Sequence, residues 1–396
     1  MDFAETGLQT KASMSRCPAV WRAMAVLVAL AAPGSSPLRA ESTRLLLPLP
    51  IAGAAALAPA TDADHFEFAV AGDNRSTDRG VPMPPTADQI FSEYRLLRPA
   101  FSLWTGDTIY GAEESVGEAE AEWDGFLAAA ARAQVPIFNA PGNHEISLRP
   151  ELAALYERKA GRLYGSFDYG HCHFVALDTE EVGRTPGIGP AQQAWLEADL
   201  AANSQAAAIF VLMHHPLFPK QAGQGWADPA IRDAVHRLFV RHGVRFVFAG
   251  HEHLYNLSVH DGVNYVVTGG AGAPVSQTPE TGGFEHYLLV SVNGREVAVT
   301  VVAPWRLFSS IGPVQPDGSC SARIDNYDGA DFLVTVEFPT DMLAGHAAAS
   351  AVFAYKGSVH PLSAQIVPSP RPGATDVRVT VPRGRSAFVT LAPAKP

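Results

Sequence analysis

The sequence predicts a layered α/β domain followed by a small all-β domain, and three observations carry that expectation. From residue 65 onward, short apolar runs alternate with amphipathic helical segments. Beyond about residue 316 the alternation becomes strand-like, with no helical stretch longer than about three turns. The composition, 47% hydrophobic against 17% charged, suffices for a large core.

In chain order, Arg16 and Arg22 precede an apolar run at 23–32, followed by Pro33, Gly34 and small residues as far as Ala40. This is the pattern of a secretory signal peptide. A second apolar stretch, 45–58, is interrupted by Pro48, Pro50 and Gly53. Neither reaches the roughly 20 apolar residues of a membrane helix. Residues 1–60 are therefore expected to be a leader, and the protein to be secreted or periplasmic with no stable membrane span.

Strands are expected at 66–71, 101–104, 136–139, 173–177, 208–213 and 244–249. Between them, Ile90, Phe91, Tyr94 and Leu97 share one helical face, as do Trp123, Phe126, Leu127 and Ala130. Pro190 opens a helix with Trp195, Leu196 and Leu200 inward, and Ile231, Val235, Leu238 and Phe239 mark another. From residue 263 the pattern turns to antiparallel strands at 264–268, 285–292 and 296–302, ending a catalytic domain at 62–304. Residues 304–316 read as a linker. Strands at 332–338, 351–355 and 376–381 then belong to a β-sandwich accessory domain, 316–396.

Lys and Arg number 29 against 40 Asp and Glu, a formal charge of −11. No basic stripe is present to neutralise phosphate backbones, so nucleic acid is not expected as a partner. Cys17, Cys172 and Cys320 are too few for a disulfide framework or a cysteine zinc site. Cys172, in an apolar strand, is expected to pack as a small core residue.

Five of the strand candidates run into residues that hold protons or metals. They are Gly72-Asp73-Asn74-Arg75, Gly106-Asp107-Thr108-Ile109-Tyr110, Gly142-Asn143-His144-Glu145, Met213-His214-His215-Pro216 and Gly250-His251-Glu252-His253. In an open α/β sheet the carboxyl ends of the strands converge on one crevice, so these side chains can meet there. Glycine lets the chain turn sharply at four of the five ends. Carboxylate and imidazole donors together suit Zn, Fe or Mn, whereas a Ca or Mg site would not need the histidines.

In this order the motifs resemble the calcineurin-like metallophosphoesterase superfamily, over roughly 64–304. The resemblance implies a four-layer αββα sandwich, two mixed β-sheets flanked by helices, with two metal ions at the strand ends. Carried over by position, it implies Asp107 as the bridging ligand, Asn143, His214 and His251 at a second site, and Asp73 and His253 at a first. Where that family has the histidine of Asp-x-His, this chain has Arg75, which stays protonated and offers no lone pair. Gly106-Asp107-x-x-Tyr110 and Val211-x-x-His214 resemble the purple acid phosphatase branch, in which a tyrosine replaces that histidine and binds ferric ion. Tyr110 is then either the missing ligand or a core aromatic at a strand end. That branch has glycine in place of Arg75.

The same resemblance implies a dinuclear-metal-dependent phosphoesterase that hydrolyses phosphomonoesters of small molecules through a metal-activated hydroxide. His144 or His215, beside expected ligands, is placed to protonate the leaving alkoxide. Arg75 is placed to hold a phosphate oxygen. Phosphodiester hydrolysis is the alternative reaction, and a catalytically silent exported binding protein the alternative class. Asp178 is expected to support a ligating histidine, and 269–272 to form a tight loop near the site. His171 and His173 alternate along a strand but match no ligand position. No expected ligand lies beyond His253, so a chain ending near Pro313 is expected to stay active, provided the two domains share little core.

Overall fold

The computed structural model describes residues 56–111, 114–184, 186–339 and 346–393, so most of the expected leader lies outside the described residues. In chain order the first unit runs β1 (His65–Ala71), α1 (Pro85–Leu97), β2 (Ser102–Trp104), α2 (Val116–Ala133), β3 (Ile137–Asn139), α3 (Asn143–Ile146), α4 (Pro150–Lys159), β4 (Gly165–Tyr169) and β5 (Cys172–Ala176). It continues through α5 (Pro190–Ala202), β6 (Ala208–Leu212), α6 (Pro229–His242), β7 (Val244–Ala249), β8 (Tyr255–His260), β9 (Val263–Thr268), β10 (Tyr287–Asn293) and β11 (Glu296–Val302).

Period-two geometry sorts the side chains of β1 into two cores. Phe68 and Val70 face one, Ala69 and Ala71 the other. β1 is the central strand of a sheet ordered β11-β10-β1-β2-β3, parallel to β2 and antiparallel to β10. A second sheet is ordered β4-β5-β6-β7-β9-β8. Aromatic rings fill the space between the two sheets: Phe138 stacks on Phe167 with centroids 4.1 Å apart, and Phe68 on Phe101 at 5.3 Å. Helices α1, α2 and α4 cover the outer face of the first sheet, and α5 and α6 that of the second. The result is the four-layer αββα sandwich.

Local chemistry sets the helix ends. Ser115 and Glu118 form a reciprocal capping box at the start of α2. Asp228 accepts from the backbone of Ala230 and Ile231 at the start of α6, and Gly243 closes that helix at φ 71°. No helix among the described residues is long and apolar enough to cross a membrane.

Several features differ from the sequence expectation. β4 and β8, the strands at the two opposite edges of the second sheet, were not expected, although Phe167 and Tyr169 in one and Tyr255, Leu257 and Val259 in the other alternate with polar residues. β9 pairs in parallel with β7 and only its other side is antiparallel, with β8. Within the expected linker lies a further strand, β12 (Leu307–Ile311).

The rest of the chain is a two-sheet sandwich. Its strands are β13 (Cys320–Asn326), β14 (Phe332–Pro339), β15 (His346–Tyr355), β16 (Ser358–Leu362), β17 (Ala364–Val367), β18 (Ala374–Val381) and β19 (Arg385–Pro393), in sheets β12-β13-β19-β15-β16 and β14-β18-β17. It packs on α1, and its apolar side chains join those of the first sheet's helices in one continuous core. The premise that the two units share little core does not hold. Arg98, at the end of α1, donates to Glu337 of β14 at 3.1 Å and lies 3.5 Å from Asp376 of β18. The buried carboxylate of Glu93 accepts from Tyr287 Oη at 2.8 Å and from the Trp305 backbone at 2.9 Å, tying α1 to both sides.

Candidate metal centre

β1, β2 and β3 are parallel to one another, as are β5, β6 and β7, so the loops leaving their carboxyl ends meet at one edge of the sandwich. Three of the expected ligands turn there in the left-handed region: Asp73 (φ 59°), Asp107 (φ 53°) and His251 (φ 67°). Such backbone costs about 1–3 kcal/mol per residue and persists where surrounding structure enforces it, commonly at functional sites. Gly106, at φ 89°, permits the approach: a Cβ on it would lie 2.8 Å from the Gly142 nitrogen and 2.9 Å from His214 Nδ1. A Cβ on Gly250 would run into the Asp73 carboxylate.

The fully buried His214 points Nδ1 at the Thr105 carbonyl, 2.7 Å away. A carbonyl only accepts, so Nδ1 carries the proton and Nε2 presents its lone pair. That lone pair faces Asn143 Oδ1 at 2.9 Å and Asp107 Oδ1 at 3.3 Å. His251 donates from Nε2 to Gln224 Oε1 at 2.8 Å and turns Nδ1 to the same Asn143 oxygen, 3.0 Å away. His253 donates from Nδ1 to the Pro274 carbonyl at 2.7 Å, leaving Nε2 3.6 Å from Asp73 Oδ1. Each of the three imidazoles thus spends one nitrogen on an outer oxygen and aims the other inward, the arrangement that orients metal-bound histidines.

Lone pairs set against lone pairs repel unless a cation lies among them. Asp73 is completely buried, accepts at Oδ1 from the His251 backbone at 3.0 Å, and leaves Oδ2 with no hydrogen-bond partner. A buried orphan carboxylate oxygen of this kind is costly without a counter-charge. The donor atoms of Asp73, Asp107 and His214 lie within 4.8 Å of one another, as do those of His214, His215 and His251, and with Asn143 Oδ1 among them and His253 Nε2 beside Asp73 they form a cluster of nitrogen and oxygen donors suited to Zn, Fe or Mn.

Electrostatics agrees with this assignment. Burial, and then the charge of Asp107, push the Asp73 carboxyl well above the usual range. Burial also opposes ionisation of Asp107, but the His214 and His144 rings and the Arg75 guanidinium outweigh it and hold that carboxyl low. Burial pushes His214 and His253 down, and His251 down to about 2. Burial thus favours in each ring the neutral form that binds metal, while the Asp107 charge favours the protonated form of His214.

The other expected site residues stand around this cluster. Arg75 Nε lies 3.5 Å from Asp107 Oδ2, and Nη1 donates to the Ser76 carbonyl at 3.0 Å. His144 donates from Nδ1 to the Tyr110 carbonyl and holds Nε2 4.0 Å from Asp107 Oδ2, at the mouth of the site. His215 sits deeper, Nδ1 2.5 Å from Glu180 Oε1 and its ring 3.8 Å from that of His251. The ring of Tyr110 packs against His144 with centroids 5.6 Å apart and lines a cavity beside α2. Among the described residues its phenol makes no hydrogen bond or ion pair with Asp73, Asp107 or His253.

Sequence reasoning passed over Glu145. Buried behind the cluster, it accepts from the backbones of Asp107 at 3.0 Å and Gly142 at 2.7 Å, and from the Thr108 hydroxyl at 2.5 Å, locking the Asp107 turn to the Asn143 turn. Its position inside the Gly-Asn-His-Glu motif was the available signal. Gln224, in a loop with no motif, gave none. Asp178 does not support a ligating histidine: it accepts from the Glu180 backbone at 2.8 Å, and Glu180, two residues further on, reaches His215. The 269–272 loop runs beside the site, with Ala271 and Ala273 donating to the Gly72 and Asp73 carbonyls at 3.0 and 2.8 Å.

His173 lies at the amino end of β5, away from the metal cluster. Its Nδ1 is 2.6 Å from Asp168 and its Nε2 2.8 Å from Asp199, so it donates to both only as the doubly protonated cation. Burial alone would lower it, but the two carboxylates outweigh burial and push it up to about 9. A raised folded-state value means this contribution to stability is complete below the ordinary 6.5 and is lost as pH rises through about 9. Urea midpoints of the wild type should therefore fall across that window, and His173→Gln should flatten the fall. Equal slopes for the two proteins would exclude the effect.

Residues 68–255 match the sequence profile of the calcineurin-like phosphoesterase family. The chain is 26% identical over 154 residues to serine/threonine-protein phosphatase CPPED1 of Rattus norvegicus, covering 36% of this chain and 49% of that protein. It is 27% identical over 195 residues to phosphoenolpyruvate phosphatase of Allium cepa, covering 44% and 39%. With purple acid phosphatase 5 of Arabidopsis thaliana it shares 26% over 178 residues, covering 44% and 41%. The chain spans about half the length of the curated relatives it matches. The profile match covers the strand-end loops that carry Asp73, Asp107, Asn143, His214, His251 and His253, so it is in this part of the chain that the likeness to the calcineurin-like phosphoesterase family lies.

Proposed function

We propose that this protein is an exported metal-dependent hydrolase of phosphomonoesters that works with two cations. The observation that carries the reading is the convergence of Asp107 Oδ1, Asn143 Oδ1, His214 Nε2 and His251 Nδ1 in one buried cluster, with the unpartnered Asp73 Oδ2 beside it. Export rests on the leader pattern alone.

Cations held there would supply an activated water and a clamp for the phosphoryl oxygens. The chain's own residues do the rest. Arg75 offers N–H donors to a phosphate oxygen at the mouth of the site. His144 holds a nitrogen toward the same mouth, where it can pass a proton to the departing alcohol. Glu145 fixes the turns that carry Asp107 and Asn143.

Metal analysis of the purified protein, paired with a panel of phosphate esters before and after chelation, tests the reading. About two equivalents of transition metal and release of inorganic phosphate that chelation abolishes are expected. Protein with well under two equivalents and no turnover of any monoester would overturn it.

A further inference from the structure

Next to the metal cluster lies a cavity of about 440 Å³, walled by the segment after Arg75, the end of β2 and one face of α2. It begins where the site ends: Tyr110, whose ring packs on His144, forms part of its wall, as does Ser76, the neighbour of Arg75. Met83, Ile109, Tyr110 and Phe126 make most of the lining apolar. On α2, Glu118 lies three and four residues before Ala121 and Glu122, and Gly125 four and three after them, so a single helical stripe faces the cavity.

Two details set it apart from a packing defect. Gly125 stands inside a helix, where glycine costs about 1 kcal/mol relative to alanine. A Cβ there would meet nothing within 4 Å, so no close neighbour requires the glycine, and its missing side chain leaves the cavity open. Secondly, Glu114 is only 3% exposed and its Oε2 has no hydrogen-bond partner. Glu122 accepts from the Tyr110 backbone at 2.7 Å, and burial, then the charge of Glu114 and a hydrogen bond shared between the two carboxyls, raise its carboxyl above the ordinary value, so a proton or another cation is called for between them. Glu118, at the rim, is already paired with Arg79 at 2.7 Å.

We propose that this cavity receives the alcohol portion of the phosphate ester, and that it is built for an apolar alcohol bearing a protonated amine. The apolar walls take the carbon chain, and an ammonium between Glu114 and Glu122 supplies the donor that Glu114 Oε2 lacks. The same carboxylates repel a second phosphate. A cavity of this volume holds a small organic group of that kind.

The inference rests on the phosphomonoester reading, and its test separates the two. Aminohexyl phosphate and hexyl phosphate are compared as substrates, and aminohexanol and hexanol as ligands by calorimetry. The wild type should favour the amine-bearing member of each pair by about tenfold, the worth of one charge-assisted hydrogen bond. Glu114→Gln should erase that preference, bringing kcat/KM for aminohexyl phosphate down to that for hexyl phosphate. Gly125→Leu, whose Cβ would meet nothing within 4 Å, should lower kcat/KM for both hexyl esters by about tenfold or more relative to methyl phosphate. If both hexyl esters are turned over equally well, the cavity is not the alcohol site and the phosphomonoester reading stands. If no ester is turned over, that reading fails, and calorimetry still decides the cavity: aminohexanol binding no tighter than hexanol overturns it.

Discussion

Asn143→Ala should lower kcat by about two orders of magnitude or more, because it removes the oxygen on which two histidine lone pairs converge. Asn143 Oδ1 stands 2.9 Å from His214 Nε2 and 3.0 Å from His251 Nδ1. Without it a cation at that position loses a donor from the middle of its shell. The fold should survive, since Asn143 is the first residue of α3 and alanine suits a helix at least as well. His214→Ala should act on the same cation and also release the Thr105 carbonyl, so it should cost some stability as well as turnover. Metal analysis of each variant should show roughly one equivalent lost, with circular dichroism of Asn143→Ala unchanged. Near wild-type kcat in Asn143→Ala would sink the assignment of these residues as ligands.

Much of this centre was legible because each ligand sits at a strand end behind an apolar run, and the strands are long-range signals of the same kind. Phe68 and Val70 on one face and Ala69 and Ala71 on the other mark β1 as a strand buried on both faces, and Asp73 follows it two residues later. The turns were legible where glycine marked them, as at Gly106 and Gly250. What sequence could not show is which oxygen each imidazole donates to. Thr105, Pro274 and Gln224 are far from their histidines along the chain, and two of the three act through backbone carbonyls that any residue carries. Tyr110 was ambiguous for a related reason: its spacing from Asp107 is the same whether its ring turns to the metals or to the cavity beside α2. β12, inside the expected linker, escaped because it lacks apolar alternation and all but Leu307 is exposed, whereas β8 carries a period-two pattern at Tyr255, Leu257 and Val259 that was there to be read.

Ending the chain near Pro313 should unfold the protein, contrary to the expectation from ligand positions alone. Helix α1 buries Ile90, Phe91 and Tyr94, and also Glu93, Leu96 and Leu97, an arc of more than half its circumference. A helix lying on a single sheet buries a narrower stripe, and here the sandwich supplies the second surface. Truncation would leave β12 without its partner β13, strip Arg98 of Glu337 and Asp376, and expose the apolar flank of α1 to water. Each buried side chain of this size contributes about 1.5–3 kcal/mol, and a domain's net stability is about 5–15 kcal/mol. Unmasking about four of them is enough to exhaust that margin. The truncated chain should therefore show no cooperative thermal transition and no turnover, although it keeps all of Asp73, Asp107, Asn143, His214, His251 and His253. Double replacement of Arg98 and Glu337 by alanine in the full chain should give a milder form, a lowered Tm with kcat retained, because it loosens the junction without removing it. A truncated protein that melts like the full chain would show that α1 needs no second surface, and would return the sandwich to the role of a separable accessory domain.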